Sequence, residues 1–189
     1  RGLVGGLLLG VEVWRQAQKA SGAVGTWIEA TSHPHEHDPG ADEQPYYLSL
    51  GTRNSSLEYA RYAAMLGRAL TMAGAADEGA VFIESATAAY IFGTNPEVRV
   101  STSWMTEAGT HTWTEAPEPD AERRVWALIE LWLATGDPMF MSELETPSMD
   151  EAFFDSVGQL WWQNRIYKAV DVALSTASFP EGWSEAAQA

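Results

Sequence analysis

An all-α fold built of helical hairpins is the class this sequence predicts, and three observations lead there. Apolar residues recur at helical spacing over long stretches. Pro- and Gly-rich connections separate those stretches. Only Val98 to Ser103 alternates in the manner of a strand, and it does so weakly.

The first helix is expected from Leu3 to Lys19, apolar and Gly-rich at first and then Trp14-Arg15-Gln16-Ala17-Gln18. Its apolar run falls well short of the roughly 20 residues that cross a bilayer. A loop from Ala20 to Arg53 follows, rich in Gly, Pro, His and Asp. Connections this long and without structure of their own are uncommon in compact domains, which marks it as a candidate functional loop. The second helix is predicted over Leu57 to Ala73. Ser55 and Glu58 form the capping box at its start, and Gly74 stops it. Its surface is apolar almost all round, apart from Glu58, Arg61 and Arg68, as suits a helix buried on most sides.

A third helix is expected from Ala76 to Phe92, with Gly93 at the position of a C-terminal glycine and Pro96 beyond it. Residues 97–119 read as a second long loop that holds Trp104, His111 and Trp113. The fourth helix runs from Asp120 to Thr135, just after Pro119. Its centre, Val125 to Leu133, is again apolar nearly all round, and Gly136 ends it. Asp137 caps a fifth helix with Pro138 in its first position. A sixth covers Asp150 to Ala173, with Trp161, Trp162 and Tyr167. Mostly buried helices, the second and fourth, thus alternate with more amphipathic ones, as a two-layer ring of helical hairpins requires.

Composition narrows the function. The 189 residues carry 11 Lys+Arg against 26 Asp+Glu, a formal net charge of −15. Binding to phosphate or to anionic lipid draws on clustered basic side chains, so neither nucleic acid nor a membrane surface is an expected partner. A neutral, polyhydroxylated polymer fits this charge. Without cysteine, thiolate nucleophiles and disulfides are excluded. His33, His35 and His37 alternate beside Glu36 and Asp38, so an extended backbone puts three imidazoles on one face. Their spacing matches no helical zinc motif, and a solvated loop is the simpler reading. No metal or cofactor is expected. Glu115 and Glu118 lie in a Pro-rich acidic stretch that reads as solvated chain.

Two stretches resemble the middle of the catalytic domain of glycoside hydrolase family 9, inverting cellulases with an (α/α)6 barrel. One is Asp42-Glu43-Gln44-Pro45-Tyr46-Tyr47-Leu48, continuing through Thr52 to Leu57-Glu58-Tyr59-Ala60. The other is Glu122-Arg123-Arg124-Val125-Trp126-Ala127-Leu128-Ile129-Glu130-Leu131, followed by Ala134-Thr135-Gly136-Asp137. Between them, Ala88 to Phe92 and Asn95-Pro96-Glu97-Val98 resemble the family's helix and its exit. The resemblance spans residues 30–140. It implies a single segment, residues 1–189, of a partial helical toroid with long cleft-lining loops. It further implies a secreted protein acting on β-1,4-glucan or a related β-glycan.

The family's Gly-Trp-x-Asp-Ala-Gly-Asp motif, which carries the base, and its Asn-Glu pair, which carries the acid, do not occur here. Inverting hydrolysis needs both, about 6.5–9.5 Å apart. No catalytic residue is therefore assigned, and the acid and base are expected outside this chain. Tyr46 also replaces the family's usual Arg. The resemblance puts Trp126 at a platform position, where a flat ring suits the apolar face of a pyranose. Asp42, Tyr46 and Tyr47 fall where family members place cleft residues, and Trp113 is a further candidate from the second loop. A partial ring leaves apolar inner-helix surface bare, so other segments of the domain or self-association are expected to cover it. The alternative is a non-catalytic helical carbohydrate-binding or scaffold protein. Polysaccharide lyases and sugar epimerases, other helical toroids, are a further enzymatic reading.

Overall fold

The computed structural model describes residues 2–30, 45–106, 109–116 and 121–148. These are mostly helical. In chain order the elements are α1 (Gly2–Gln16), β1 (Val24–Gly25), β2 (Ile28–Ala30), β3 (Tyr46–Leu48), β4 (Gly51–Thr52), α2 (Arg53–Met72), α3 (Ala76–Thr94), β5 (Ser101–Thr106), β6 (Gly109–Thr114), α4 (Ala121–Thr135) and α5 (Pro138–Ser148). The sixth predicted helix, Asp42, the three alternating histidines, Glu118, Pro119 and Asp120 lie outside the described residues.

The core sits where α2 meets α3 and α4. Leu57, Ala60, Ala63 and Ala64 of α2 pack with Ala86, Ala89 and Tyr90 of α3, and with Val125, Leu128, Ile129 and Leu131 of α4. Alanines let these helices approach closely, and two glycines complete the contact. A Cβ added at Gly67 would lie 2.6 Å from Ile83 Cγ1, and one at Gly79 would lie 2.5 Å from the Gly67 carbonyl oxygen. A turn containing Gly74, at φ +87, joins the two helices. α5 closes the cluster through Phe140, whose ring meets Tyr90 edge-on at 5.8 Å.

Three boundaries move relative to the sequence reading. α2 begins one turn earlier, because Thr52 and not Ser55 is its N-cap. Thr52 Oγ1 accepts from the Ser55 amide, and Ser55 Oγ accepts from the Thr52 amide. Gly93 is not a helix terminator but part of α3, which is capped at Asn95. The glycine is needed for space, since a Cβ there would meet Leu57 Cγ at 2.6 Å and the Arg53 carbonyl oxygen at 3.0 Å. α1 ends at Gln16, and the side chain of Gln18 turns back to the carbonyls of Gly22 and Ser85. The α4–α5 junction is as expected. Gly136 takes φ +67, and Asp137 Oδ1 accepts from the Met139 amide at 2.9 Å.

Strands correct the all-α expectation. The described residues hold three two-stranded antiparallel sheets, pairing β1 with β4, β2 with β3, and β5 with β6. The first two fold the ends of the long Ala20–Arg53 loop back on themselves. The third turns much of the second expected loop into a hairpin. Its register sets Ser101 against Thr114 and Ser103 against Thr112, with hydroxyl–hydroxyl contacts of 3.0 and 2.8 Å. Hydroxyl side chains stand in for the apolar half of a strand pattern, which is why hydrophobic periodicity passed over most of this segment.

Candidate functional site

Everything around the first turns of α2 converges on one open cleft of about 1390 Å³. α2 contributes Asn54, Ser55, Glu58, Tyr59 and Tyr62 to its wall. These recur every three to four residues, so they share one helix face, opposite the alanines that make the core. α1 adds Trp14, the loop after β1 adds Trp27, β6 adds Trp113, and α4 adds Arg123 from its first turn. Three indoles and two phenols therefore line one depression.

The N-terminus of α2 is built with unusual completeness. A helix start leaves its first amides without intrahelical acceptors. Here the Arg53 amide donates to Glu115 Oε2 at 2.9 Å, the Asn54 amide to Glu115 Oε1 at 3.0 Å, and the Ser55 amide to Thr52 Oγ1 at 3.0 Å. Both oxygens of one carboxylate, 62 and 61 residues away, thus sit on the positive end of the helix dipole. Glu115 is only 5% exposed, which corrects its reading as part of a solvated stretch. β1 is fixed from the same turn. Ser56 Oγ accepts from the Val24 amide, and Ser55 Oγ donates to the Val24 carbonyl.

Polar contacts likewise set the aromatic walls. Ser49 Oγ accepts from the amides of Thr26 and Trp27, and the Ser49 amide donates to the Trp27 carbonyl at 3.0 Å. Trp27 is thereby held at the rim, 55% exposed. Tyr59 is buried and donates to Ser85 Oγ at 2.7 Å, and Ser85 in turn donates to Gln18 Oε1. Burial pushes the Tyr59 phenol above its usual pKa, so it stays a neutral donor. Glu58 lies 3.4 Å from Arg123 and 3.7 Å from Arg61.

The predicted site residues separate. Trp113 lines the cleft and is 43% exposed. Tyr46 and Tyr47 are exposed on β3, beside Leu48, which lines the cleft while they do not. Trp126 is half-buried and is not among the cleft residues. The Arg61 guanidinium sits over its ring at 3.0 Å and also over Tyr62 at 4.6 Å. Arg61 thus covers one face of the Trp126 ring. Trp126 also hydrogen-bonds to Glu130, which is buried and paired with Arg68 at 3.1 Å. Trp14, Trp27, Tyr59, Tyr62 and the base of the hairpin were missed as site residues. The unusual length of the first loop was the one available signal.

The cleft's two described carboxylates are already engaged, Glu115 by amides and Glu58 by arginines. Both Glu115 oxygens accept backbone amides, whereas Glu58 is about a third exposed and meets its arginines only as ion pairs. Among the described residues no group of His, Asp and Glu is arranged to hold a metal ion, and no helix is long and apolar enough to cross a membrane. Set against models of known protein families and against curated proteins, the chain matches none.

Proposed function

We propose that this chain is the central part of a family-9-type glycoside hydrolase domain, in which the cleft cradles a β-1,4-glucan or a related β-glycan. The observation that carries this reading is the cleft itself, an open depression with three indoles and two phenols in its walls and Asn54, Glu58 and Arg123 beside them. Flat aromatic faces stack on the apolar faces of pyranose rings, while polar groups meet the hydroxyls. The ordered motifs over residues 30–140 support it. So do two adjacent, largely buried helices, α2 and α4, flanked by α3 with Val81 and Ile91 exposed. In this reading the helices are hairpins of an (α/α)6 barrel, and hydrolysis is inverting. The proton-transfer carboxylates come from segments other than residues 1–189, which also cover the bare apolar surface unless self-association does. A polymeric substrate places the protein outside the cell.

Affinity electrophoresis in gels containing a soluble β-glucan tests the reading. The chain is expected to be retarded, and Trp27→Ala to migrate close to its rate in a glucan-free gel. No retardation of the wild type removes the proposed cleft function. The same chain is expected not to hydrolyse the glucan. Turnover that disappears in Glu58→Gln would place the chemistry here instead. A second reading, a non-catalytic carbohydrate-binding or scaffold protein, is favoured by the engagement of both Glu115 oxygens with backbone amides. The residues encoded on either side separate the two readings: an upstream Asp-Ala-Gly-Asp and a downstream Asn-Glu belong to the hydrolase.

A further inference from the structure

We infer that Glu115 is a positioning residue, a latch that holds the β5–β6 hairpin against the helical body and thereby sets Trp113 as a wall of the cleft. The inference rests on the cleft reading only for its ligand; the latch itself stands on geometry.

β6 is exposed along all six of its residues. Solvent on that scale leaves little packing to fix where β6 itself stands. The strand ends at Thr114, and the next residue is buried. Glu115 donates its own amide to the Val100 carbonyl at 2.9 Å, just before β5 begins, which closes the hairpin's base. Its carboxylate then spans to α2 and accepts from the Arg53 and Asn54 amides at 2.9 and 3.0 Å. One residue therefore ties both strands to the helix that supplies Asn54, Ser55 and Glu58 to the cleft. Charge-assisted bonds from two successive amides to the two oxygens of one carboxylate fix orientation as well as distance. Trp113 is two residues from this anchor, and Val100, Trp113 and Glu115 all line the cleft. A ring held by so short a tether inherits its position, and a looser tether lets it leave the wall.

The test combines a spectroscopic signature with a double-mutant cycle, using the whole 189-residue chain. Labelling with 5-fluorotryptophan gives a fluorine spectrum in which the resonance lost in Trp113→Phe is that of Trp113. Without any ligand, Glu115→Ala is expected to shift or broaden that resonance, and Glu115→Gln, which keeps one acceptor, to do so less. Tyr90→Phe serves as a control, because it weakens a contact between α3 and α5 away from the hairpin, and it is expected to leave the resonance in place. An unmoved Trp113 resonance in folded Glu115→Ala overturns the latch, whether or not the chain binds glucan. If Glu115→Ala does not fold, the same comparison is read from Glu115→Gln, and no change there likewise overturns it.

With cellohexaose as the probe, Glu115→Ala and Trp113→Ala are each expected to weaken binding by about tenfold. The double variant is expected to bind no more weakly than Trp113→Ala alone, as follows when one residue acts through the other. Additive losses would overturn the positioning role. Absence of wild-type binding would fail the cleft reading alone, since the fluorine comparison needs no ligand.

Discussion

The contact between Gly67 and Gly79 sets helix propensity against packing and so gives a prediction whose sign is informative. Alanine in place of glycine inside a helix is worth about 1 kcal/mol of stability through backbone entropy. At Gly79 the new Cβ would lie 2.5 Å from the Gly67 carbonyl oxygen and 2.5 Å from Thr71 Oγ1. That is about 1 Å inside ordinary van der Waals contact. Thr71 can rotate at the cost of its bond to the Gly67 carbonyl, but the carbonyl itself belongs to the α2 backbone and cannot yield. The helices must part, and the shift runs along the α2–α3 core. Overpacking costs about 1–3 kcal/mol. A backbone obstacle puts this site at the upper end, for a net loss near 2 kcal/mol. With a urea slope of about 2 kcal/mol/M, the midpoint for Gly79→Ala is expected to fall by about 1 M, with the slope unchanged. Gly10→Ala is the matched control. It lies inside α1 with nothing within 4 Å of its added methyl, so propensity acts alone and stability is expected to rise by roughly 0.5–1 kcal/mol. A Gly79→Ala protein as stable as the wild type, or more so, would refute the close-approach reasoning.

Glu130 gives a pH prediction. Burial raises its carboxyl above the usual range, against the opposing pull of Arg68, Arg61 and the Trp126 hydrogen bond. Its folded pKa thus exceeds the unfolded one. Below the unfolded value of 4.5 the carboxyl is protonated in both states; as pH rises through the folded value, the stability this proton contributes is lost. Glu130→Gln should therefore gain stability relative to the wild type as pH is raised from 4 to 7, and an unfolding free-energy difference that stays flat across that range contradicts it. Tyr90 is 2% exposed and donates to Glu143 at 2.5 Å, which ties α5 to α3. Tyr90→Phe is expected to cost about 1–2 kcal/mol and to speed proteolysis within α5, and unchanged cleavage there would count against the tie.

Much of the helical framework was legible because its signals are local. Gly74, Gly136, Asp137 and Pro138 punctuate the chain as their conformational preferences dictate, and the apolar runs of α2 and α4 mark the core. Where the sequence misled, a distant partner had the deciding role. Ser55 and Glu58 have capping-box spacing, yet Thr52 caps α2. Arg53 and Asn54 can form the first turn because Glu115, some sixty residues away, accepts their amides. Gly93 carries the spacing of a helix stop, but Leu57 and Arg53 press against it, and no pattern within α3 records that.

The same distinction bears on the different settings of Trp126 and Trp113. An indole on a helix packed into a core is drawn toward its neighbours, and Trp126 finds Arg61 and Glu130 there. The rim of this cleft takes rings on backbone that is already solvated, anchored at one end and open along its length. The β6 strand and the loop after β1 meet that condition, through Glu115 and Ser49 respectively. Hydrophobic periodicity reports the first kind of site and passes over the second, since a ring at a polar rim breaks no pattern. The two anchors share one logic: a side-chain acceptor takes two successive backbone amides, and an exposed tryptophan stands within two residues of the junction. Polar satisfaction of the backbone, more than apolar burial, is what shapes this cleft.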